Sequence, residues 1–225
     1  MWAFNNDTLH LHTPRNFMAG DTVYLQDEIT SDNCAYLIAD IANYVTGEEN
    51  IGKQLKFIIN SPGGEVFVAH QISGLIAMAK INNIQVITIV LGYAASAASM
   101  IAIQGDYRVM GKNAMHMVHF GSIWQEITKQ TEIKKSLEYN SRLSKNMQQL
   151  YLDHCTNLTK EKLQQLEEDE FGKLFADECL KLGFCDSIVE EELDRKIKNE
   201  AKEVAAYNEF VAYKKTSSKR NKEGK

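Results

Sequence analysis

The 225-residue chain lacks the features that define several large protein classes. Its cysteines, Cys34, Cys155, Cys179 and Cys185, form no CxxC pair, so they suggest neither a zinc ribbon nor a disulfide framework. No apolar run approaches the length of a membrane span, and Met1-Trp2-Ala3-Phe4-Asn5-Asn6-Asp7 does not have the form of a signal peptide. These absences predict a protein of a reducing, cytoplasmic compartment with no membrane partner. A net charge of −5 gives no reason to expect nucleic-acid binding. The end of the chain departs from this balance. Lys214, Lys215, Lys219, Arg220, Lys222 and Lys225 face only Glu223, among Thr216, Ser217, Ser218 and Gly224, which reads as a solvated basic tail. There is no internal repeat. A Gly-x-Ser-x-Gly elbow, the mark of an α/β-hydrolase, is also missing.

What is present suits one α/β domain with an extension. Thr22-Val23-Tyr24-Leu25 reads as a strand, and Asp32 or Asn33 as the cap of a helix through Val45. Phe57 to Ile59 is the next strand. Val68, Ile72, Leu75, Ile76 and Ala79 then share one helical face. The strand Gln85 to Leu91 feeds an alanine-rich helix running to about Gln104. Arg108–Met110 and Met115–His119 follow as short strands, then helices over Glu132–His154, Lys160–Glu167 and Ala176–Leu182, the last stopped by Gly183. A final amphipathic segment covers Leu193–Tyr213. Such alternation predicts helices packed on sheets.

Two segments carry chemistry. Gly92-Tyr93-Ala94-Ala95-Ser96-Ala97-Ala98-Ser99 follows one apolar strand, and Asn60-Ser61-Pro62-Gly63-Gly64 follows another. Alanines around a serine suit a helix start packed closely on other backbone, at the positive end of a helix where an oxyanion is favoured. Two backbone-donor loops beside one serine suggest acyl transfer. The serine needs a histidine to take its proton. His116 and His119 lie on or beside one strand and face opposite sides, and the residues alone leave the choice between them open. His70 reads as a helix-face residue and His154 as a charge near a helix C-terminus; His10 and His12 lie in the N-terminal segment. Ser99 reads as a small packing residue.

The run from Lys56 to Ile188 resembles the proteolytic subunit of the Clp protease and its phage relatives, the head-maturation proteases. Asn60-Ser61-Pro62-Gly63-Gly64 matches the family's Ser-Pro-Gly-Gly loop, and Gly92-x-Ala94-Ala95-Ser96 its Gly-x-Ala-Ala-Ser motif. Met117-Val118-His119 matches Met-Ile-His, and Gly183-Phe184-Cys185-Asp186-Ser187-Ile188 the Gly-Leu-Val-Asp-x-Ile that closes the family's core. Ala97-Ala98-Ser99 is closer to the phage branch than to the bacterial form, which has Met-Gly there. The resemblance implies a ClpP/crotonase-like α/β fold of repeated β-β-α units. It divides the chain into an N-terminal segment 1–20, a peptidase domain 21–192, and a C-terminal helix and basic tail 193–225. It implies a Ser96–His119–Asp169 triad, with Glu170 or Glu168 as the acid under a shifted alignment. Backbone N–H groups of Gly64 and Ala97 form the implied oxyanion hole. Extended substrate pairs near Glu65-Val66-Phe67 and Gly121-Ser122-Ile123. The partners it implies are a polypeptide substrate, copies of itself in rings of six or seven, single or stacked, and an ATP-dependent unfoldase or phage capsid proteins. It calls for no metal or cofactor.

Rival readings weigh less. A crotonase-type acyl-CoA hydratase or isomerase shares the architecture but needs no nucleophilic serine, and a catalytically silent ring scaffold is disfavoured by the intact Ser96 and His119. A Ser–Lys peptidase would need a lysine base that the histidine match makes unnecessary.

Overall fold

The computed structural model describes residues 15–119, 130–168 and 172–189. Its element order is β1 (Asn16–Ala19), β2 (Thr22–Leu25), α1 (Ser31–Thr46), β3 (Gln54–Ser61), α2 (Val66–Ile81), β4 (Gln85–Ala95), α3 (Ala97–Ala102), β5 (Tyr107–Met110), β6 (Met115–Met117), α4 (Gln130–His154), α5 (Lys160–Glu168), β7 (Lys173–Phe175), α6 (Ala176–Leu182) and β8 (Ser187–Ile188). A short 3₁₀ turn, Glu48–Asn50, follows α1.

One sheet runs β1-β2-β3-β4-β5-β8, and β6 and β7 extend it from the upper half of β4. Only the β1–β2 and β6–β7 pairs are antiparallel among the described strands; the rest are parallel, as crossover helices require. The central strands are buried on alternate residues, with Leu55, Phe57, Ile59 and Ser61 inward on β3. On α2 the apolar face is that of the sequence reading: Val68, Ile72, Ile76 and Ala79 are buried and Leu75 packs beside them.

Several local expectations are corrected. The cap of α1 is Thr30, not Asp32 or Asn33. Thr30 Oγ1 accepts the Asn33 N–H at 3.2 Å, and Asn33 Oδ1 accepts the Thr30 N–H at 3.0 Å, a reciprocal capping box. The expected alanine helix starts only at Ala97, because Ala94 and Ala95 belong to β4 and pair with β3 and β6. It also ends at Ala102. The strands β1, β7 and β8 have no counterpart in the sequence reading.

The C-terminal part is tied to the sheet through Arg108. Its guanidinium donates to Asp186 Oδ1 at 2.7 Å and Oδ2 at 3.0 Å, and to the carbonyls of His154 (2.8 Å) and Gly183 (2.6 Å). Gly183 sits at φ 82°, the left-handed position that ends α6.

Candidate active site

The site is built where β3, β4 and β6 end. β4 is long enough to serve two neighbours: Ile87–Val90 pairs with β5, and Tyr93–Ala95 pairs with β6. Between these stretches the β3–β4 register slips, from Ile59 opposite Val90 to Ser61 opposite Ala94. Asn60 fills the slip. Its carboxamide oxygen accepts the Tyr93 N–H at 3.3 Å and occupies the space that a side chain at Gly92 would need. The register that places Ser96 therefore depends on an amide and a glycine from different strands.

Ser96 follows directly. It is half-buried and caps α3, with φ 52° and ψ −121°, a conformation that costs a residue with a side chain on the order of 1–3 kcal/mol. Its N–H donates to the Met117 carbonyl at 2.8 Å, so the turn is fixed to the end of β6. Ala94, Ala97 and Ala98 are completely buried and Ala95 nearly so. The reason is the approach of the glycine loop. A Cβ on Gly63 would overlap the Ala95 carbonyl oxygen and lie 2.8 Å from the Ala97 nitrogen and 2.9 Å from Ser96 Cβ.

That loop is held from both sides. Ser61 Oγ donates to the Asp27 carbonyl at 2.7 Å and accepts the Gly63 N–H at 3.1 Å. The Ile29 N–H donates to the Gly63 carbonyl, and the Glu65 N–H to the Ile29 carbonyl, each at 2.7 Å. In this parallel bridge the groups flanking Gly64 are engaged, and the N–H of Gly64 itself turns away from Ile29. Gly63 (φ 88°) and Gly64 (φ 148°) both use the glycine-favoured region. A Cβ on Gly64 would also strike the Ile29 backbone.

The two strand histidines separate clearly. His116 and Val118 are buried, whereas Met115, Met117 and His119 look to the open side, with His119 exposed. His119 stands two residues after the carbonyl that accepts the Ser96 N–H. His116 Nδ1 lies 2.9 Å from Ser99 Oγ, and its ring meets Phe184 edge-on at 5.4 Å. Burial, helped by the Arg108 charge, lowers its pKa to about 3, so the ring is neutral. His116 is thus a satisfied core histidine. Ser99 is more than a packing residue, because its hydroxyl makes a hydrogen bond. His70 is part-buried on α2, with its pKa lowered by burial. His154 Nδ1 lies 2.9 Å from the Leu150 carbonyl at the end of α4.

The remaining predicted residues fall unevenly. Glu65 precedes α2, and its carboxylate accepts from Ser31 Oγ at 3.3 Å. Val66 and Phe67 form the first turn of α2, where the backbone N–H groups have no intrahelical partner. The Phe67 side chain is exposed. Glu168 ends α5 and accepts from Gln164 Nε2 at 3.0 Å. Asp169, Glu170, Gly121, Ser122 and Ile123 lie outside the described residues. The described chain resumes at Gly172, whose carbonyl accepts the Val118 N–H at 3.0 Å, one residue from His119. Sequence reasoning missed the work of Asn60 and Ser61, although both stand inside the motif it singled out.

Comparison with known proteins gives this geometry its context. The profile of the family described as Clp protease matches residues 9–192. The chain belongs to the Clp protease family. It is 31% identical over 144 residues to the ATP-dependent Clp protease proteolytic subunit of Lactococcus lactis subsp. cremoris, covering 61% of this chain and 68% of that protein. It is 25% identical over 181 residues to the subunit of the same name from Leuconostoc citreum, covering 78% and 86%. This Clp-family chain is accordingly a serine peptidase with the mixed α/β fold expected of it. The crotonase and silent-scaffold readings gain no support from these matches. No helix among the described residues is long and apolar enough to cross a membrane.

Proposed function

We propose that this Clp-family peptidase hydrolyses peptide bonds of unfolded polypeptides with Ser96 as nucleophile, His119 as general base and Asp169 as the orienting acid. One observation carries the reading. The Gly63–Gly64 loop is clamped against the strained Ser96 turn, and the Ser96 N–H is bonded to the strand end that leads to His119.

In this reading Ser96 Oγ attacks the substrate carbonyl carbon while His119 accepts the hydroxyl proton. The tetrahedral oxyanion is received by the N–H groups of Gly64 and Ala97. Collapse breaks the C–N bond, His119 returns the proton to the leaving amine, and water then hydrolyses the acyl-enzyme by the same route. Asp169 is supported by position: it stands three residues ahead of Gly172, whose carbonyl bonds beside His119, whereas the Glu168 carboxylate is engaged by Gln164. Substrate backbone runs between Glu65-Val66-Phe67 and the Gly121-Ser122-Ile123 segment. The peptidase works in the cytoplasm as a ring of six or seven copies, single or stacked, supplied by an ATP-dependent unfoldase or acting on phage capsid proteins.

A fluorophosphonate probe with peptide mapping tests the nucleophile, and native mass measurement tests the ring. Labelling of Ser96, lost together with peptide hydrolysis in Ser96→Ala, is the expected result. Labelling elsewhere, or hydrolysis that survives Ser96→Ala, overturns the assignment. A fully active monomer overturns the ring.

A further inference from the structure

Behind the nucleophile lies a buried polar cluster that this mechanism does not use. Ser99 and His116 are 0% and 1% exposed, yet both are polar and they lie in different elements. Ser99 Oγ and His116 Nδ1 are 2.9 Å apart, and the phenol of Tyr151, itself 1% exposed, adjoins Ser99. The cluster joins α3, β6 and α4 at a single point.

Those elements also carry the reacting groups. Ser99 stands one helical turn after Ser96, and the Met100 N–H donates to the Ser96 carbonyl at 3.2 Å. His116 lies on β6, one residue before the carbonyl that holds the Ser96 N–H and three before His119. Two hydrogen bonds relate the start of α3 to β6: the Ser96–Met117 backbone bond on the site side, and the Ser99–His116 bond in the core. With one bond α3 can pivot about the strand end. With two, separated by a helical turn, its rotation is fixed, and with it the direction of Ser96 Oγ and the Ala97 N–H relative to His119.

We infer that Ser99 and His116 are positioning residues for this peptidase: their buried hydrogen bond, backed by Tyr151, sets the angle between the α3 nucleophile turn and the β6 strand that bears His119. An apolar pair of similar volume would fill the same space but leave that angle free. The directional bond is therefore the functional element. The inference rests on the Ser96–His119 reading above.

A double-mutant cycle on turnover tests it, with Ser99→Ala, His116→Leu, the double variant, and His116→Asn, which keeps a hydrogen-bonding group near the position of Nδ1. Peptide hydrolysis and fluorophosphonate labelling rates are measured on the assembled protein. Ser99→Ala and His116→Leu should each lower kcat by about 10- to 100-fold with KM within about 2-fold, the scale of a small misplacement of reacting groups. The double variant should be no slower than either single one, because both remove the same bond. His116→Asn should recover most of the loss. Folded Ser99→Ala with wild-type kcat, strictly multiplicative losses, or no recovery in His116→Asn would each overturn the inference. Should Ser99→Ala fail to fold, His116→Leu against His116→Asn makes the same comparison. Ser96→Ala is run alongside: survival of hydrolysis there marks failure of the catalytic reading, whereas a dead Ser96→Ala with an unaffected Ser99→Ala marks failure of this inference alone.

Discussion

Gly63→Ala is the smallest change that reaches the proposed nucleophile without replacing a proposed catalytic residue. Two costs can be read from the structure. Gly63 sits at φ 88°, where an L-residue pays roughly 1–2 kcal/mol. The added methyl also meets backbone rather than flexible side chain: it overlaps the Ala95 carbonyl oxygen and lies 2.8 Å from the Ala97 nitrogen. Ordinary contact begins near 3.4 Å, so clearing the Ala95 carbonyl oxygen requires the Ser96 turn or the glycine loop to retreat by about 1 Å. The loop cannot easily move outward, because Ser61, Ile29 and Asp27 hold it by four hydrogen bonds of 2.7–3.1 Å. The displacement therefore falls largely on the turn.

A shift of this size between a nucleophile and its oxyanion donors lowers turnover by about 10-fold or more. The assay is hydrolysis of a short fluorogenic peptide, with probe labelling to report the nucleophile directly and circular dichroism to confirm folding. Gly74→Ala is the control. Gly74 is exposed on α2, and a methyl there would meet no heavy atom within 4 Å, so the change should add about 0.5–1 kcal/mol of stability and keep full activity. Folded Gly63→Ala with wild-type kcat would show that the loop does not press on the turn. Gly64→Val is a less clean probe of the oxyanion hole, because its side chain also strikes Ile29 and loosens the loop itself.

Three further outcomes are expected. Asp169→Asn should lower kcat strongly while Glu168→Gln, whose carboxylate already serves Gln164, should change it little; the reverse order moves the acid to Glu168. Asp186→Asn should cost about 3 kcal/mol in urea unfolding, the low end for breaking a buried pair since the Asp186 side chain is 33% exposed; unchanged stability would mean that Arg108 is satisfied by the carbonyls of His154 and Gly183 alone. His116, neutral when folded because its pKa falls from 6.5 to about 3, must take up a proton on unfolding in acid, so its contribution is complete above pH 6.5 and is lost as pH falls toward 3. Between pH 6.5 and 5 the wild type should lose about 1.5 kcal/mol more than His116→Asn, and parallel pH profiles would contradict the buried neutral imidazole.

What the sequence disclosed follows from how local each signal is. The apolar faces of α2 and the runs of β3 and β4 are periodic over many residues, and Gly183 is a local stop. The strands β1, β7 and β8 are two to four residues long and exist through pairing, which a window of sequence does not contain. Ala94 and Ala95 favour helix on propensity. Tertiary pairing to β3 and β6 overrides that preference because only small side chains fit beneath Gly63. The capping box of α1 was legible as Thr30-x-x-Asn33, with its cap two residues ahead of Asp32. The Ser99–His116 bond spans 17 positions and has no local trace.

The site was more legible than parts of the fold for a topological reason. Both chemistry-bearing loops directly follow apolar runs, and those runs are β3 and β4, parallel neighbours. Parallel neighbours end at the same edge of a sheet, so whatever follows each strand must emerge side by side, however many residues lie between them. Here α2 takes up that interval and returns the chain to the start of β4. The same argument brings in β6, parallel to β4 and ending beside Ser96, and so His119. It does not extend to the acid. Asp169 precedes β7, which is antiparallel to β6, so strand order alone does not bring it to the shared edge. Three motifs on parallel strands can be assembled from order alone, while a fourth ahead of an antiparallel strand cannot, and that is why the proposed acid kept alternatives even after the resemblance had chosen His119 over His116.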